Sequence, residues 1–221
     1  DSRYTLQAKM QTKGLKTTIL NLNEVTSLNF FKDNSERIGN IALYTKALSF
    51  LTYSQFTEAA KLKNIKVINL KLSFIDLIWK RDLKTQKSKS IFMLDKKYCG
   101  SSYSEKIKLV QQYIKKIGVD AFFIHNSESI AWLLNLRGRD LDYTPITLAH
   151  ALILRKYIYI FLQDCNIPDN LKTKYPKDIK FFSITDIPKI FKMKKTKNLV
   201  VGLSPRNTSK FYYDLIKNFS K

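Results

Sequence analysis

Cysteine and histidine are scarce in this chain of 221 residues, with two of each. Cys99 and Cys165 cannot build a disulfide framework, so a reducing compartment is the expectation. His125 and His150 stand alone, with no H-E-x-x-H or H-x-x-E-H pair. Metal catalysis needs several ligands converging on one open-sided ion. Grouping Cys99, His125, His150 and Cys165 as a zinc tetrad fails for want of any close ligand pair. Both histidines therefore read as hydrogen-bonded structural residues. Six Gly and five Pro leave no Gly-rich phosphate loop, and no G-x-S-x-G elbow occurs. Cys99 beside Gly100 has no base near it in sequence and reads as a core or linker thiol. Long apolar runs are missing too. The stretch Phe122–Leu136 is broken by Asn126, Ser127 and Glu128, so no transmembrane helix is expected. The chain begins with Asp and shows no targeting segment; the cytoplasm is the expected location.

Acidic residues are also few, 18 against 39 basic ones, for a net charge of +21. Such a balance suggests a polyanion partner. The kind of base argues otherwise. Lys outnumbers Arg 32 to 7, whereas phosphate and base readers favour the bidentate Arg fork. Phe, Tyr, Met, Ile, Asn and Lys number 98 against 27 for Gly, Ala, Arg and Pro, a bias that AT-rich codons produce. The lysines are spread along the chain. Even the densest run, Lys192, Lys194, Lys195 and Lys197, has no aromatic platform beside it. Solvated faces are the expectation, with no membrane or nucleic acid as partner. A basic nucleic-acid or acidic-surface binding module stays as the alternative.

Local patterns alternate between helix and strand. Arg3–Gln11 reads as a helix with Leu6 and Met10 on one face, ended by Gly14. Thr17–Leu22 reads as a strand, Val25–Phe31 as a helix and Arg37–Tyr44 as a strand. A helix over Ser54–Lys63, with Ser54 as N-cap, and a strand over Ile65–Leu70 follow. Arg81–Ser90 is polar and aperiodic, a linker. Ser102 and Glu105 have capping-box spacing, and Ile107, Val110, Ile114 and Ile117 form one stripe up to Gly118. Val119–His125 is a buried strand. Leu148–Leu154 and Tyr157–Leu162 are strands joined at Arg155-Lys156. Ile179–Ile184, a helix over Asp186–Met193 with Pro188 in its first turn, Leu199–Leu203 and a helix over Asn207–Asn218 complete the chain. Arg37–Asn64 and Asn198–Asn218 share the order strand, turn, helix, an internal repeat.

Four pieces carry a resemblance. They are DSRYTLQA at Asp1–Ala8, Asn69 with FIDLIW at Phe74–Trp79, Tyr98-Cys99-Gly100 with Glu105 and Lys106, and IAWLLNLRG at Ile130–Gly138. In this order and spacing they resemble the N-terminal region of the long-form Xaa-Pro aminopeptidases, of the creatinase/prolidase superfamily. The resemblance implies an α/β fold of two creatinase-N-like units, mixed sheets flanked by helices, the first incomplete. Residues 1–80 would be the C-terminal part of the first domain, 81–97 a linker, and 98–221 a second domain lacking its last strand. The chain is thus expected to be cut at both ends, and to self-associate through what the cuts expose. Family members remove an N-terminal residue preceding proline, using two divalent metal ions, typically manganese, held by two Asp, one His and two Glu. That chemistry lies in a separate pita-bread domain, the implied partner. No catalytic or metal residue and no cofactor is expected in this chain, which is expected to be inactive alone. Asn135, Arg137, Arg139 and Asp140 form the candidate loop facing the cleft; the bland alternative is a solvated turn. Trp132, between Ile130 and Leu133, reads as core.

Overall fold

The computed structural model describes residues 3–79, 91–163, 167, 169–193 and 196–220. Within it the chain folds into two α/β units. The first holds helix α1 (Arg3–Gln11), α2 (Ser27–Asp33), strand β1 (Asn40–Tyr44), α3 (Phe50–Leu62), β2 (Lys66–Leu70) and α4 (Phe74–Ile78). β1 and β2 pair in parallel, as strands joined by a crossover helix do. Their small core gathers Phe31, Leu43, Phe56, Ala60 and Ile65. Thr17–Leu22 is not a strand: no strand of the described residues pairs with it, and Ile19 and Leu20 are exposed. The N-cap of α3 is Ser49, whose hydroxyl accepts from Thr52 N–H, rather than Ser54. Ser54 lies one turn inside and donates back to Phe50 O.

The second unit's core includes Ile91. Linker residues 81–90 lie outside the described residues. Ile91, which is buried, and Met93, which packs against that core, both stand ahead of residue 98. Strand β3 (Phe92–Met93) pairs with β5 (Leu136–Arg137), and α5 (Lys96–Cys99) leads into α6 (Tyr103–Lys116). Then come β4 (Ala121–Ile124), α7 (Ser127–Leu134), β6 (Ala149–Leu154), β7 (Ile158–Leu162), α8 (Asp169–Lys172), β8 (Ile179–Ser183), α9 (Ile187–Lys192), β9 (Val201–Leu203) and α10 (Lys210–Lys217).

The main sheet runs β8-β7-β6-β4-β9 and is mixed. β8 is parallel to β7 and β9 to β4; β6 is antiparallel to both its neighbours. Side chains alternate across it, so a strand covered on both faces is apolar throughout. Ile158, Ile160 and Leu162 of β7 enter the core with α6 and α7, while Tyr159 and Phe161 enter the core with α9 and α10. Gly202 in β9 has to be glycine for packing reasons. A Cβ there would sit 2.7 Å from the Phe122 ring.

β1, a turn and α3 recur as β9, a turn and α10. In each a serine N-cap, Ser49 or Ser209, opens the helix, and the two serines lie in an antiparallel bridge.

Candidate functional site

The candidate loop starts where α7 stops. Asn135 takes the left-handed conformation (φ 52°, ψ 28°) that ends a helix, one that Asn tolerates better than most residues. Its side chain turns into the unit. Asn135 is only 3% exposed and every part of it is engaged. Its Oδ1 accepts from Lys106 Nζ at 2.6 Å, its Nδ2 donates to Ser101 O at 3.1 Å, and its carbonyl accepts from Leu94 N–H at 2.7 Å.

Lys106 is the one buried cation among the described residues of this unit, also 3% exposed. Its ammonium donates to Trp132 O at 2.9 Å and lies 4.7 Å from the centre of the Trp132 ring. A buried charge requires partners. Among the described residues no carboxylate reaches it. The Trp132 carbonyl in the last turn of α7 and the Asn135 amide oxygen serve instead, at the negative end of the helix dipole. Lys106 is among the residues that carry the family resemblance, but its burial does not show in the sequence, because Lys in an amphipathic helix reads as a solvent residue. Trp132, expected in the core, is 54% exposed. The buried face of α7 is Ile130, Ala131, Leu133 and Leu134, which leaves position 132 outside.

Arg137 is held inward. Its Nη1 donates to Ala131 O at 2.8 Å and Leu136 O at 2.9 Å, a cation on the last turn of α7. Asp140 braces the loop: its Oδ2 accepts from Thr147 Oγ1 at 2.8 Å and Leu148 N–H at 2.7 Å. Gly138 lets the two arms of this loop touch, since a Cβ would lie 2.8 Å from Thr147 Cβ. Of the four candidates, only Arg139 is exposed. The structure therefore brings the four together as one braced turn that presents a single guanidinium.

The two histidines meet. The rings of His125 and His150 stack at 4.5 Å and 11°, and His150 Nδ1 lies 2.8 Å from His125 O. Tyr212 of α10 rests against both. Burial pushes the His150 imidazole down to about 4, with the neighbouring His125 adding to the effect. Burial also lowers His125, against a hydrogen bond with the Asn207 backbone. Both are neutral near pH 7. Among the described residues no group of three or more His, Cys, Asp or Glu is placed to hold a metal ion. Cys165, Lys194 and Lys195 lie outside the described residues.

A cavity of about 260 Å³ opens between α6 and α7, lined by Val110, Tyr113, Phe122, Ile124 and Trp132 among others. Its walls are mostly apolar, and the polar side chains among the lining residues are Tyr113 and Ser129. No helix of the described residues is long and apolar enough to cross a membrane.

The chain is similar to known peptidases. It is 28% identical over 210 residues to a probable Xaa-Pro aminopeptidase P of Laccaria bicolor, covering 91% of this chain and 33% of that protein. It is 22% identical to Xaa-Pro aminopeptidase 1 of Dictyostelium discoideum, covering 96% of this chain and 35% of the other. The chain thus spans about a third of the length of these relatives. Its fold matches X-prolyl aminopeptidase from Caenorhabditis elegans, described as a cytosolic enzyme with a di-nuclear active site. The TM-score is 0.82 at 20% identity, over 100% of this chain and 38% of that one. Residues 82–221 match the family model of the creatinase/prolidase N-terminal domain. With that match over more than half its length, the chain belongs to the creatinase/prolidase N-terminal domain family.

Proposed function

We propose that this chain is a non-catalytic region of a Xaa-Pro aminopeptidase-like metallopeptidase, serving domain packing and access to the active site. The parent reaction is removal of an N-terminal residue preceding proline. One observation supports this most: the whole chain superposes on little more than a third of an enzyme with a di-nuclear site. In this reading the two metal ions belong to a pita-bread catalytic domain, of the same or a separate polypeptide, which is the partner. The described residues do not fit a dinuclear centre, since no three ligands gather. Residues 1–80 act as the C-terminal part of a first domain and 98–221 as the second. The cytoplasm is the proposed compartment, in keeping with the cytosolic worm enzyme. Apolar side chains exposed on α4, Phe74, Ile75, Leu77 and Ile78, support self-association of the chain when it is alone.

Arg139 is the residue proposed to face the peptide cleft, on a turn made rigid by Asp140 and Gly138. The purified chain, supplied with manganese and an Xaa-Pro peptide, is expected to release no amino acid. Metal-dependent release by the chain alone would overturn the non-catalytic role. Joined to the catalytic region of a relative, it should support turnover, and Arg139→Ala should raise KM with little change in kcat. Unchanged kinetics would remove Arg139 from the proposal. Salt-sensitive binding of nucleic acid at physiological ionic strength would favour the basic binding module instead.

A further inference from the structure

Helices α3 and α10 begin alike. Each follows a strand and a turn, and each N-cap serine accepts the third amide of its helix, from Thr52 or Tyr212. The first two amides of a helix have no partner within it. Here the other unit supplies one. Phe50 N–H donates to Thr208 O at 2.8 Å and Leu51 N–H to Pro205 O at 3.0 Å. Lys210 N–H donates to Leu48 O at 2.9 Å and Phe211 N–H to Thr45 O at 3.0 Å. Aligned on Ser49 and Ser209, Phe50 is the counterpart of Lys210 and Leu51 of Phe211; the accepting carbonyls, Leu48 and Thr208, Thr45 and Pro205, correspond in the same way. The four bonds are therefore two pairs related by an approximate twofold axis, with the Ser49–Ser209 bridge on it.

The side chains obey the same axis. The Phe50 ring stacks on Tyr213 at 3.7 Å and 13°. Its counterpart, the Lys210 ammonium, lies 4.8 Å from the centre of the Tyr53 ring, and Tyr53 is the counterpart of Tyr213. A ring on a ring in one half becomes a cation on a ring in the other.

We infer that this joint is a self-complementary interface contained in one chain: each strand–turn–helix edge fits another unit of its own kind, and the two repeats occupy each other. In a twofold contact residue i meets j and j meets i. That is the pattern here, between residues that have diverged in type. Helix N-termini that follow a strand are ready anion sites. These two are closed by each other's carbonyls, so their role is to couple the repeats into one part.

The test is site-resolved amide exchange on the full chain. The amides of Phe50, Leu51, Lys210 and Phe211 should be protected together. Tyr213→Ala changes only the second repeat and Tyr53→Ala only the first. Either should speed exchange of all four by a similar factor, about three- to tenfold. Protection in β6 and β7 should not change, which shows that the fold is intact. Phe50→Lys should loosen the joint by placing an ammonium in both halves. Lys210 is also paired with Asp214, whose counterpart in the first repeat is Ser54. Phe50→Lys with Lys210→Phe, Ser54→Asp and Asp214→Ser should restore the joint, because the ring pair and the cation–ring pair with its carboxylate then change sides. Loosening confined to the substituted repeat, unprotected amides in the starting chain, or a fourfold variant no better than Phe50→Lys would each overturn the inference.

Discussion

His125 and His150 stack between the end of β4 and the start of β6, with Tyr212 closing over them. Their depressed basicity has a definite sign. An unfolded histidine titrates near its ordinary value, about 6.5. Below that, the unfolded chain takes up protons that the folded pair refuses, so stability falls as pH falls. The loss runs from about pH 6.5 down toward 4, the value to which burial brings His150. Above pH 6.5 this contribution is fully present and flat. His150 should lower unfolding free energy by up to about 1.4 kcal/mol per pH unit inside that window, and His125, lowered by burial too, acts in the same direction. Urea midpoints measured from pH 7.5 to 4.5 should show this slope, and His150→Gln should flatten it. An equal slope in the variant would show that the pair is not responsible. The sequence indicated structural histidines at strand ends but not that they touch, since 25 residues separate them.

Helices α6 and α7 show how far local signals reach. The Ser102–Glu105 capping box predicted the start of α6, and both of its bonds form. The apolar stripe predicted its buried face, where Ile107 and Ile114 are in the core. Neither signal said that Lys106, on the edge of that stripe, carries its charge inward to the end of α7. That contact ties two helices whose interacting residues lie 26 and 29 positions apart. Lys106→Met should destabilise the second unit by about 2–4 kcal/mol, since it leaves the buried Asn135 Oδ1 without its donor and takes one of two donors from the Trp132 carbonyl. Asn135→Leu should cost about as much by stranding the ammonium. The double variant should lose clearly less than the sum, as residues of one network do. Additive losses in chemical denaturation would mean that the two side chains do not act on each other.

At the scale of the molecule the two units differ in how much they bury. The second has a sheet covered on both faces by two apolar cores; the first has two strands and one small cluster. Exposed Leu62, Ile68, Leu72 and Phe74 show how little of the first unit's apolar surface is covered. Trypsin finds Lys and Arg throughout the chain, so cleavage reports local opening rather than site supply. Limited digestion should remove the first unit and leave a resistant fragment within residues 91–220. Survival of residues 3–79 with loss of the second unit would contradict the difference in core size.

The family resemblance, the α/β class, the hairpin at Arg155-Lys156 and the ends of α1, α6 and α9 could be read from the chain itself. Periodicity, caps and turn residues act over a few positions, and the sequence states them directly. Trp132 outside, Asn135 inside, the inward turn of Arg137 and the mutual capping of α3 and α10 were decided by tertiary structure. Each depends on which distant backbone group arrives opposite a side chain. A buried amide or ammonium is stable only where that partner stands. Local pattern does not record where the partner stands, and the packed sheet and helices set it.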